Sequence, residues 1–303
     1  MPDVSRAIDR PELVARLASA GTVWINAPAG FGKSTLLAKY AHARSGAKVW
    51  YRIDELDSDL ARFVATLAAA IEVQLAIDPG GLPRLGPGPQ PTPSSFGRLF
   101  AQAALAASDT SLLFVFDDFH RVADDCPAAE FLSALIEELR GPHQLAVASR
   151  RSPTASLARA FVHGDAVELR ASDLAMSGEE IARLAAVLGV RSPSVAEAEA
   201  IAQRTRGWAA GVRVILAAGG SWLESRSFPQ SVPAERLADY FEHEVLSRLP
   251  EQSRALLERV AVASQVPVEL AVELTGDKEA PQVLEDLAKQ QLFVTASGTT
   301  QRV

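Results

Sequence analysis

The sequence predicts an α/β fold, because apolar strand-like segments alternate with segments of helical spacing through its first half. Residues 111–122 and 143–151 contain apolar runs without polar alternation, the pattern of parallel strands buried on both faces. A third such segment, residues 22–26, leads directly into a glycine-bearing loop and a helix. From about residue 168 helical spacing dominates. We therefore expect a parallel sheet with crossover helices, followed by smaller, mainly helical domains.

The loop after the first strand has the residues of a phosphate-binding P-loop. Residues 25–40 read INAPAGFGKSTLLAKY, the P-loop pattern with Ala27 in place of the usual first glycine. Backbone N–H groups of such a loop wrap a polyphosphate, and the next helix directs the positive end of its dipole at it. Lys33 would reach the terminal phosphates, and the Ser34 hydroxyl would bind Mg²⁺. The residues expected to bind nucleotide here are Pro28, Ala29, Gly30, Phe31, Gly32, Lys33, Ser34 and Thr35.

Two carboxylates close the strand within residues 111–122 and are candidates for the rest of a magnesium and hydrolysis site. Asp117 would hold the metal opposite Ser34, and Asp118 would orient or deprotonate the attacking water. The alternative is that both aspartates only cap the strand and the following helix. A Gly-Lys-Ser string can occur by chance, but strand, loop and helix in this order favour nucleotide binding.

Three further polar residues lie near the ends of these strands. Arg150 ends the strand within residues 143–151, where a cation would face the γ-phosphate and distinguish ATP from ADP. Its neighbour Arg151 is expected at the surface. His120 invites a catalytic role, but a lone histidine just beyond a strand is more often a polar lining group, so it is left unassigned.

Other segments of the first half follow the α/β pattern with one interruption. Residues 47–59 predict a strand that runs into an acidic turn, and the helical segments are 60–76, 96–108 and 128–139. Residues 78–93 contain too many prolines and glycines for regular structure. This segment is expected to be a surface loop or a disordered insertion.

The second half is predicted to be mainly helical until close to its end. The helical segments expected there are residues 177–189, 194–220 and 234–263. A capping box joins Ser177 to Glu180 at the start of the first of them. Residues 281–303 predict a helix that leads into a β-hairpin with the turn SGTT, and we expect the domain to continue beyond Val303.

Composition excludes several classes of protein. The net charge of −7 argues against nucleic-acid binding by these 303 residues, since a phosphate backbone requires a basic face. A single cysteine, Cys126, excludes an intramolecular disulfide framework. No apolar run reaches the length of a membrane span, and the N-terminus lacks a signal-peptide core. We expect a cytoplasmic protein with no membrane partner.

Eight ordered motifs resemble the core of a known class of ATPases. They read APAGFGKSTLL, WYRIDELDSDLARFVATLAAAI, LLFVFDDFHRV, LAVASRRSPTASLAR, VELRASDLAMSGEEIARL, RTRGWAAGVRV, DYFEHEVLSRLP and LAKQQLFV. Together they resemble the ATPase core of the STAND class (signal transduction ATPases with numerous domains). More narrowly, they are similar to the core of large MalT-like, LuxR-type transcriptional regulators.

This resemblance implies three domains with ATP or ADP buried between them. They are a P-loop nucleotide-binding domain at residues 1–167, a helical domain at 168–230, and a winged-helix domain at 231–303 that is truncated at its C-terminal end.

The resemblance also assigns residues to the adenine base. Arg10 falls in a segment that lies over the adenine. Gly207 and Trp208 match a Gly-x-Pro motif, although Ala209 stands where the base-packing proline is expected. A histidine of the winged helix that touches the β-phosphate is expected just past Val303.

The function implied is an ATP/ADP-operated switch with Mg²⁺, the regulatory core of a LuxR-type activator. Slow ATP hydrolysis would reset it, and the ATP-bound state of the full-length protein would self-associate. The inducer is unknown, and DNA would be bound only through a C-terminal domain absent from this chain. Two alternatives stay open: a STAND-type signalling or defence ATPase with a non-DNA effector, and a metabolic kinase with the same P-loop.

Overall fold

The computed structural model describes residues 1–123, 125–139, 141–153, 166–217, 249–261, 266–289, 295–297 and 300–302. Contacts divide the chain into two units, of which the first comprises Met1–Ala27 and Gly32–Leu174. The second comprises Pro28–Phe31, the apex of the P-loop, and Ala175–Val303. The expected boundary at residue 230 and the predicted helix over 234–248 lie outside the described residues.

The first unit alternates strands and helices as the sequence predicts. Its elements are α1 (Pro11–Ala18), β1 (Thr22–Asn26), α2 (Lys33–Ala43), β2 (Ala47–Arg52), α3 (Leu60–Leu75), α4 (Pro93–Ala106), β3 (Leu112–Asp117), α5 (Pro127–Glu138), β4 (Gln144–Ser149), β5 (Ala166–Arg170) and α6 (Ala171–Leu174). Short 3₁₀ turns follow β2 at Glu55–Ser58 and β3 at Phe119–Arg121.

The five strands form one parallel sheet in the order β2-β3-β4-β1-β5. Every residue of β1, β3 and β4 is buried, because these three strands are central and are covered on both faces. Their continuous apolar sequences therefore predicted them correctly. The order also makes the carboxyl ends of β3, β4 and β1 neighbours, which is where ligands bind in open α/β sheets.

Aromatic side chains from α3, α4 and α5 pack with the sheet to form the main core. Phe131 meets Phe100 with ring centroids 5.4 Å apart and meets Phe63 edge-on at 5.7 Å. Phe63 also contacts Phe116 of β3 and Tyr51 of β2. Such pairs contribute about 1 kcal/mol each beyond the burial of their area, so they stabilise the sheet on which the site is built.

The Pro/Gly-rich segment 78–93 is irregular, as predicted, but it is not a disordered insertion. The buried carboxylate of Glu72 in α3 accepts hydrogen bonds from the N–H groups of Gly80 and Leu82, both at 3.1 Å. The guanidinium of Arg84 donates to both oxygens of the same carboxylate, at 2.8 and 2.6 Å. Leu82 is buried in the main core. These contacts join the loop to a carboxylate on the preceding helix. The Pro/Gly-rich composition of the loop did not indicate that it would be held in this way.

The second unit is mainly helical, with a small sheet. Its described elements are α7 (Gly178–Leu188), α8 (Val195–Thr205), α9 (Ala209–Ala217), α10 (Glu251–Val260), β6 (Val266–Pro267), α11 (Val268–Thr275), α12 (Ala280–Lys289), β7 (Thr295–Ser297) and β8 (Thr300–Arg302). The strands pair antiparallel in the order β6-β8-β7, which confirms the predicted hairpin, although part of its turn lies outside the described residues.

The segment predicted to be helical over residues 194–220 contains two helices, α8 and α9, with a break between them. Arg206 has φ 50° and Gly207 has φ 70°, and left-handed residues end a helix. The predicted capping box is confirmed: the Ser177 hydroxyl accepts from the Glu180 N–H at 3.2 Å, and the Glu180 carboxylate accepts from the Ser177 N–H at 3.1 Å.

The end of the first unit contains a strand that the sequence analysis did not predict. β5 pairs with β1 from Ala166 to Arg170, so the expected boundary at residue 167 falls inside this strand. Its sequence, AVELR, carries two charged residues and is only partly buried. It therefore lacks the continuous apolar character of the central strands. None of the helices in the described part of the chain is long and apolar enough to cross a membrane.

Candidate functional site

Three neighbouring strands of the first unit end beside one another, and each is followed by candidate site residues. β1 leads to the P-loop, β3 ends in Asp117, and β4 is followed by Arg150. The strand order thus brings Lys33, Asp117 and Arg150 to one edge of the sheet, as the sequence analysis expects for residues at the carboxyl ends of parallel strands.

Lys33 is a buried cation at the first turn of α2. Only 7% of it is exposed, and its Nζ donates a hydrogen bond to the Ala27 carbonyl at 2.7 Å. Burial, assisted by the nearby charge of Arg150 and opposed by Asp118 and Asp117, lowers the pKa of Lys33 to about 8. A lysine held in this way gains a great deal from an anion, because an anion compensates the cost of its burial.

Ser34 and Asp117 form the hydroxyl–carboxylate pair that the sequence predicts. The Ser34 Oγ donates to Asp117 Oδ1 at 2.7 Å, and Asp117 is 5% exposed. Burial raises the pKa of Asp117, and the hydrogen bond from Ser34 partly offsets this effect. Both groups are hard oxygen donors, which Mg²⁺ prefers, and such sites often contain only one or two protein ligands beside water and phosphate. The two residues therefore fit a magnesium ion.

Asp118 has a left-handed backbone and an ionised carboxylate. Its φ is 60°, and its N–H donates to Asp117 Oδ1 at 3.1 Å. Its Oδ2 accepts from Arg52 Nε at 3.1 Å and lies 3.8 Å from Arg121 Nε. Burial acts to raise the pKa of Asp118, but His120, Arg52 and Arg121 outweigh burial and hold it below its usual value. Asp118 is thus charged at neutral pH and oriented by its neighbours.

His120, which the sequence analysis left unassigned, belongs to the same group of side chains. Burial lowers its pKa to about 3, assisted by the positive charges of Arg150, Lys33 and Arg151 and opposed by Asp118. Its Nδ1 is buried and has no hydrogen-bond partner among the described residues. The imidazole is therefore neutral at pH 7 and able to exchange hydrogen bonds with a water or a ligand. The only signal in the sequence was its position two residues after Asp118.

The two arginines after β4 differ in their surroundings. The charge of Arg150 acts on both Lys33 and His120. Arg151 is half-buried rather than at the surface, and its guanidinium donates to the His120 carbonyl at 2.5 Å and to the Val122 carbonyl at 2.6 Å. Arg151 thus attaches the end of β4 to the turn after β3, which leaves Arg150 as the arginine of the site.

The expected nucleotide contacts of Arg10, Thr35 and Ala209 are not tested by the hydrogen bonds and burial of these residues. The Arg10 guanidinium donates to the Leu174 carbonyl at 2.8 Å, so it is held at the end of the first unit. Thr35 is half-buried in α2, and Ala209 is the half-buried first residue of α9. Contacts of Arg10 and Ala209 with a base, and of Thr35 with a phosphate, stay predictions.

The apex of the P-loop, Pro28–Phe31, belongs to the second unit and accepts hydrogen bonds from it. The Trp208 indole N–H donates to the Ala29 carbonyl at 2.8 Å, and the Ala210 N–H donates to the Gly30 carbonyl at 2.9 Å. Gly30 has φ 78°, a left-handed conformation. Alternation of right- and left-handed residues makes successive N–H groups converge into an anion-binding concavity.

The α/β fold, with a P-loop between β1 and α2, is that of P-loop NTPases. The chain resembles a STAND protein with a tetratricopeptide repeat sensor from Pyrococcus horikoshii, with a TM-score of 0.55 and 19% identity, covering 100% of this chain and 42% of the other. It resembles a Walker-type ATPase of Pyrococcus abyssi with a TM-score of 0.59 and 14% identity, covering 100% of this chain and 95% of the other. These similarities show the fold.

Sequence comparison points to a narrower group. Residues 242–303 match the model of the MalT winged helix domain. The HTH-type transcriptional regulator MalT of Serratia proteamaculans is 28% identical over 300 residues, covering 96% of this chain and 33% of the relative. The chain is therefore similar to the core of MalT-like regulators, with an α/β P-loop domain and a match to a winged-helix domain. It spans about a third of the length of the curated relatives it matches.

Proposed function

We propose that this chain is an ATP/ADP-operated switch and the regulatory core of a MalT-like, LuxR-family transcriptional activator. The observation that supports it most directly is the group formed by buried Lys33 and the bonded pair Ser34 and Asp117. This combination of a cation, a hydroxyl and a carboxylate serves a metal-bound polyphosphate.

Each residue of the group has a role that follows from its surroundings. Lys33 exchanges its contact with the Ala27 carbonyl for the terminal phosphates, since an anion compensates a buried charge better than a neutral carbonyl. Ser34 and Asp117 would hold Mg²⁺, which neutralises phosphate charge when it is bound. Arg150 would contact the γ-phosphate, so that the site responds differently to ATP and ADP.

Hydrolysis would depend on Asp118 and His120. The ionised carboxylate of Asp118 would accept a hydrogen bond from the attacking water, or its proton. The neutral His120 would position that water or the neighbouring Arg150, because its buried Nδ1 has no partner among the described residues. We expect turnover below about 1 s⁻¹, the low end of ordinary enzymes. A switch that hydrolysed ATP faster could not hold its active, ATP-bound state.

The regulatory consequences belong to the full-length protein. We propose that ATP favours an open state that self-associates, that ADP favours a closed state, and that an unidentified inducer controls the exchange. We further propose a cytoplasmic location and DNA binding through a domain other than these residues. With a net charge of −7, the chain itself should not retard promoter DNA in a gel at moderate salt.

Calorimetric titration of the purified chain with ADP and ATP, each with Mg²⁺, tests the proposal. Wild-type protein should bind both, and Lys33→Ala should weaken both on the order of 100-fold, because a buried ionic contact contributes about 3 kcal/mol. Lys39→Ala is the matched control: Lys39 lies on the same helix but pairs with Asp9 at 2.8 Å. It should bind within about twofold of wild type, since exposed pairs contribute little.

Absence of binding to the wild-type protein would refute the proposal. Equal losses of nucleotide affinity in Lys33→Ala and Lys39→Ala would show that Lys33 has no specific role in binding. Turnover much faster than about 1 s⁻¹ with a small-molecule phosphate acceptor would instead support a metabolic kinase.

A further inference from the structure

The P-loop apex is attached to the start of α9 by two hydrogen bonds to consecutive carbonyls. The Trp208 side chain donates to the Ala29 carbonyl at 2.8 Å, and the Ala210 backbone donates to the Gly30 carbonyl at 2.9 Å. Ala210 belongs to the first turn of α9, whose N–H groups have no acceptor within their own helix. The bond to Gly30 therefore satisfies a group that would otherwise need water.

The indole of Trp208 occupies a slot between two glycines. A Cβ on Gly30 would lie 2.5 Å from the indole nitrogen, and a Cβ on Gly211 would lie 2.5 Å from Cε3 of the six-membered ring. Neither distance is possible for a real side chain. The ring therefore depends on both positions lacking a Cβ, and it has little freedom to move within the slot.

The turn before α9 fixes the backbone from which this indole projects. Gly207, with φ 70°, accepts from the Met176 N–H at 2.9 Å, and the Trp208 N–H donates to Thr205 at 3.0 Å. A Cβ on Gly207 would lie 2.4 Å from the Met176 nitrogen. Both the backbone and the ring of Trp208 are thus held by short-range packing.

Holding a carbonyl also fixes the N–H group of the same peptide. In a planar trans peptide the carbonyl of one residue and the N–H of the next point in opposite directions. The bond to the Ala29 carbonyl therefore directs the Gly30 N–H away from the indole. The bond to the Gly30 carbonyl likewise directs the Phe31 N–H away from the Ala210 N–H. Apex N–H groups of this kind are the ones with which a P-loop wraps phosphates.

We propose that Trp208 is a positioning residue that orients the phosphate-binding N–H groups of the P-loop apex through the Ala29 carbonyl. The inference rests on the proposed nucleotide binding and deepens it. It differs from the expectation by resemblance, in which this motif contacts the adenine base through its third position, here Ala209. On the present proposal Trp208 acts on the phosphates of any nucleotide and is indifferent to the base.

Trp208→Phe separates these two roles, because it keeps an aromatic ring and removes the indole N–H. The affinities for ADP and adenosine are measured by calorimetry, and that for tripolyphosphate by competition with labelled ADP. Loss of one buried hydrogen bond, about 1.4 kcal/mol, should weaken ADP and tripolyphosphate about tenfold. Adenosine should bind within about twofold of wild type, since it has no phosphate.

A second variant leaves Trp208 in place and displaces its ring. Gly211→Ala introduces a methyl group at 2.5 Å from the indole, so it should weaken ADP and tripolyphosphate in the same way. In a Trp208→Phe background it should add less than about threefold, because the indole contact is already lost. Trp50→Phe, on β2, is the matched control for loss of an indole and should bind like wild type.

A spectroscopic measurement checks the hydrogen bond itself. In the ¹⁵N-tryptophan spectrum of nucleotide-free protein, the indole resonance that disappears in Trp208→Phe should exchange slowly with solvent and shift when pyrophosphate is added.

ADP binding of Trp208→Phe at wild-type affinity would overturn the inference and leave the proposed function intact. A loss confined to adenosine and ADP, with tripolyphosphate unchanged, would assign Trp208 to the base instead. Failure of the wild-type protein to bind any of the three would overturn both proposals.

Discussion

Replacing Lys33 by methionine should stabilise the nucleotide-free protein and strongly weaken its binding of nucleotide. Methionine preserves the length and flexibility of the chain but removes the buried charge. Burial lowers the pKa of Lys33 from 10.5 to about 8, and each pKa unit corresponds to about 1.4 kcal/mol, so the charge costs about 3 kcal/mol. Loss of the hydrogen bond to the Ala27 carbonyl lowers the stability by about 1 kcal/mol and so offsets part of this gain. The net expected gain is about 2 kcal/mol at pH 7.

The effect of the Lys33→Met substitution on stability should depend on pH. Because the folded pKa of Lys33 lies below that of the unfolded chain, the unfolded chain binds more protons between about pH 8 and 10.5. The stability of the wild-type protein should therefore rise with pH through this window. The advantage of Lys33→Met should be complete below pH 8 and disappear by about pH 10.5.

Urea unfolding followed by circular dichroism, at pH 7 and pH 10 with and without saturating ADP and Mg²⁺, measures these effects. ADP should raise the unfolding midpoint of the wild-type protein clearly more than that of Lys33→Met, because the variant lacks the cation that contacts the phosphates. Lys39→Met, on the same helix with its partner at the surface, controls for loss of a lysine and should change stability by less than about 0.5 kcal/mol. A Lys33→Met protein that is less stable than wild type at pH 7 would show that the lysine is structural and refute the reasoning.

Four other variants test the remaining roles. Asp118→Asn should suppress phosphate release and keep ADP affinity within about threefold, whereas Asp117→Asn should weaken binding only when Mg²⁺ is present; equal loss in both would contradict the division of roles. Arg150→Ala should weaken ATP about tenfold more than ADP in calorimetry, since only ATP carries the γ-phosphate, and an equal effect on both would count against it. The bonds from Arg84 lower the pKa of Glu72 from 4.5 to about 2, so this carboxylate stabilises the fold above pH 4.5 and loses that contribution as the pH falls towards 2. Arg84→Met should reduce this acid dependence and speed proteolysis of the Pro/Gly-rich loop; unchanged digestion would show that the bond does not hold it.

The central part of the fold could be predicted from sequence because burial there is complete. Strands β1, β3 and β4 are mainly apolar and buried throughout, and the P-loop, Asp117 and Arg150 lie at their ends. The half-exposed strand β5 has no such pattern, and the break between α8 and α9 depends on two left-handed residues rather than on proline. Local composition does not encode either feature strongly.

The candidate site divides in the same way. Lys33, Ser34 and Asp117 were predicted because a short motif and a strand end determine their positions. The burial of His120 and the bond between Arg52 and Asp118 depend on which strands are neighbours, so no single segment indicates them. The indole bond of Trp208 joins residues 179 positions apart in the sequence, which only the folded chain reveals.

The left-handed backbone of Asp118 restricts how this position can change during evolution. Aspartate, asparagine and glycine are the residues that adopt φ near 60° with least strain, and of these only aspartate ionises. Glutamate would keep the charge at the expense of backbone strain and a misplaced carboxylate. A related chain should therefore lose hydrolysis most readily by a single change to asparagine, with its fold and nucleotide binding preserved. Homologues with asparagine at this position are accordingly expected to bind ATP without hydrolysing it. Such variants should persist where a permanently ATP-bound state is useful.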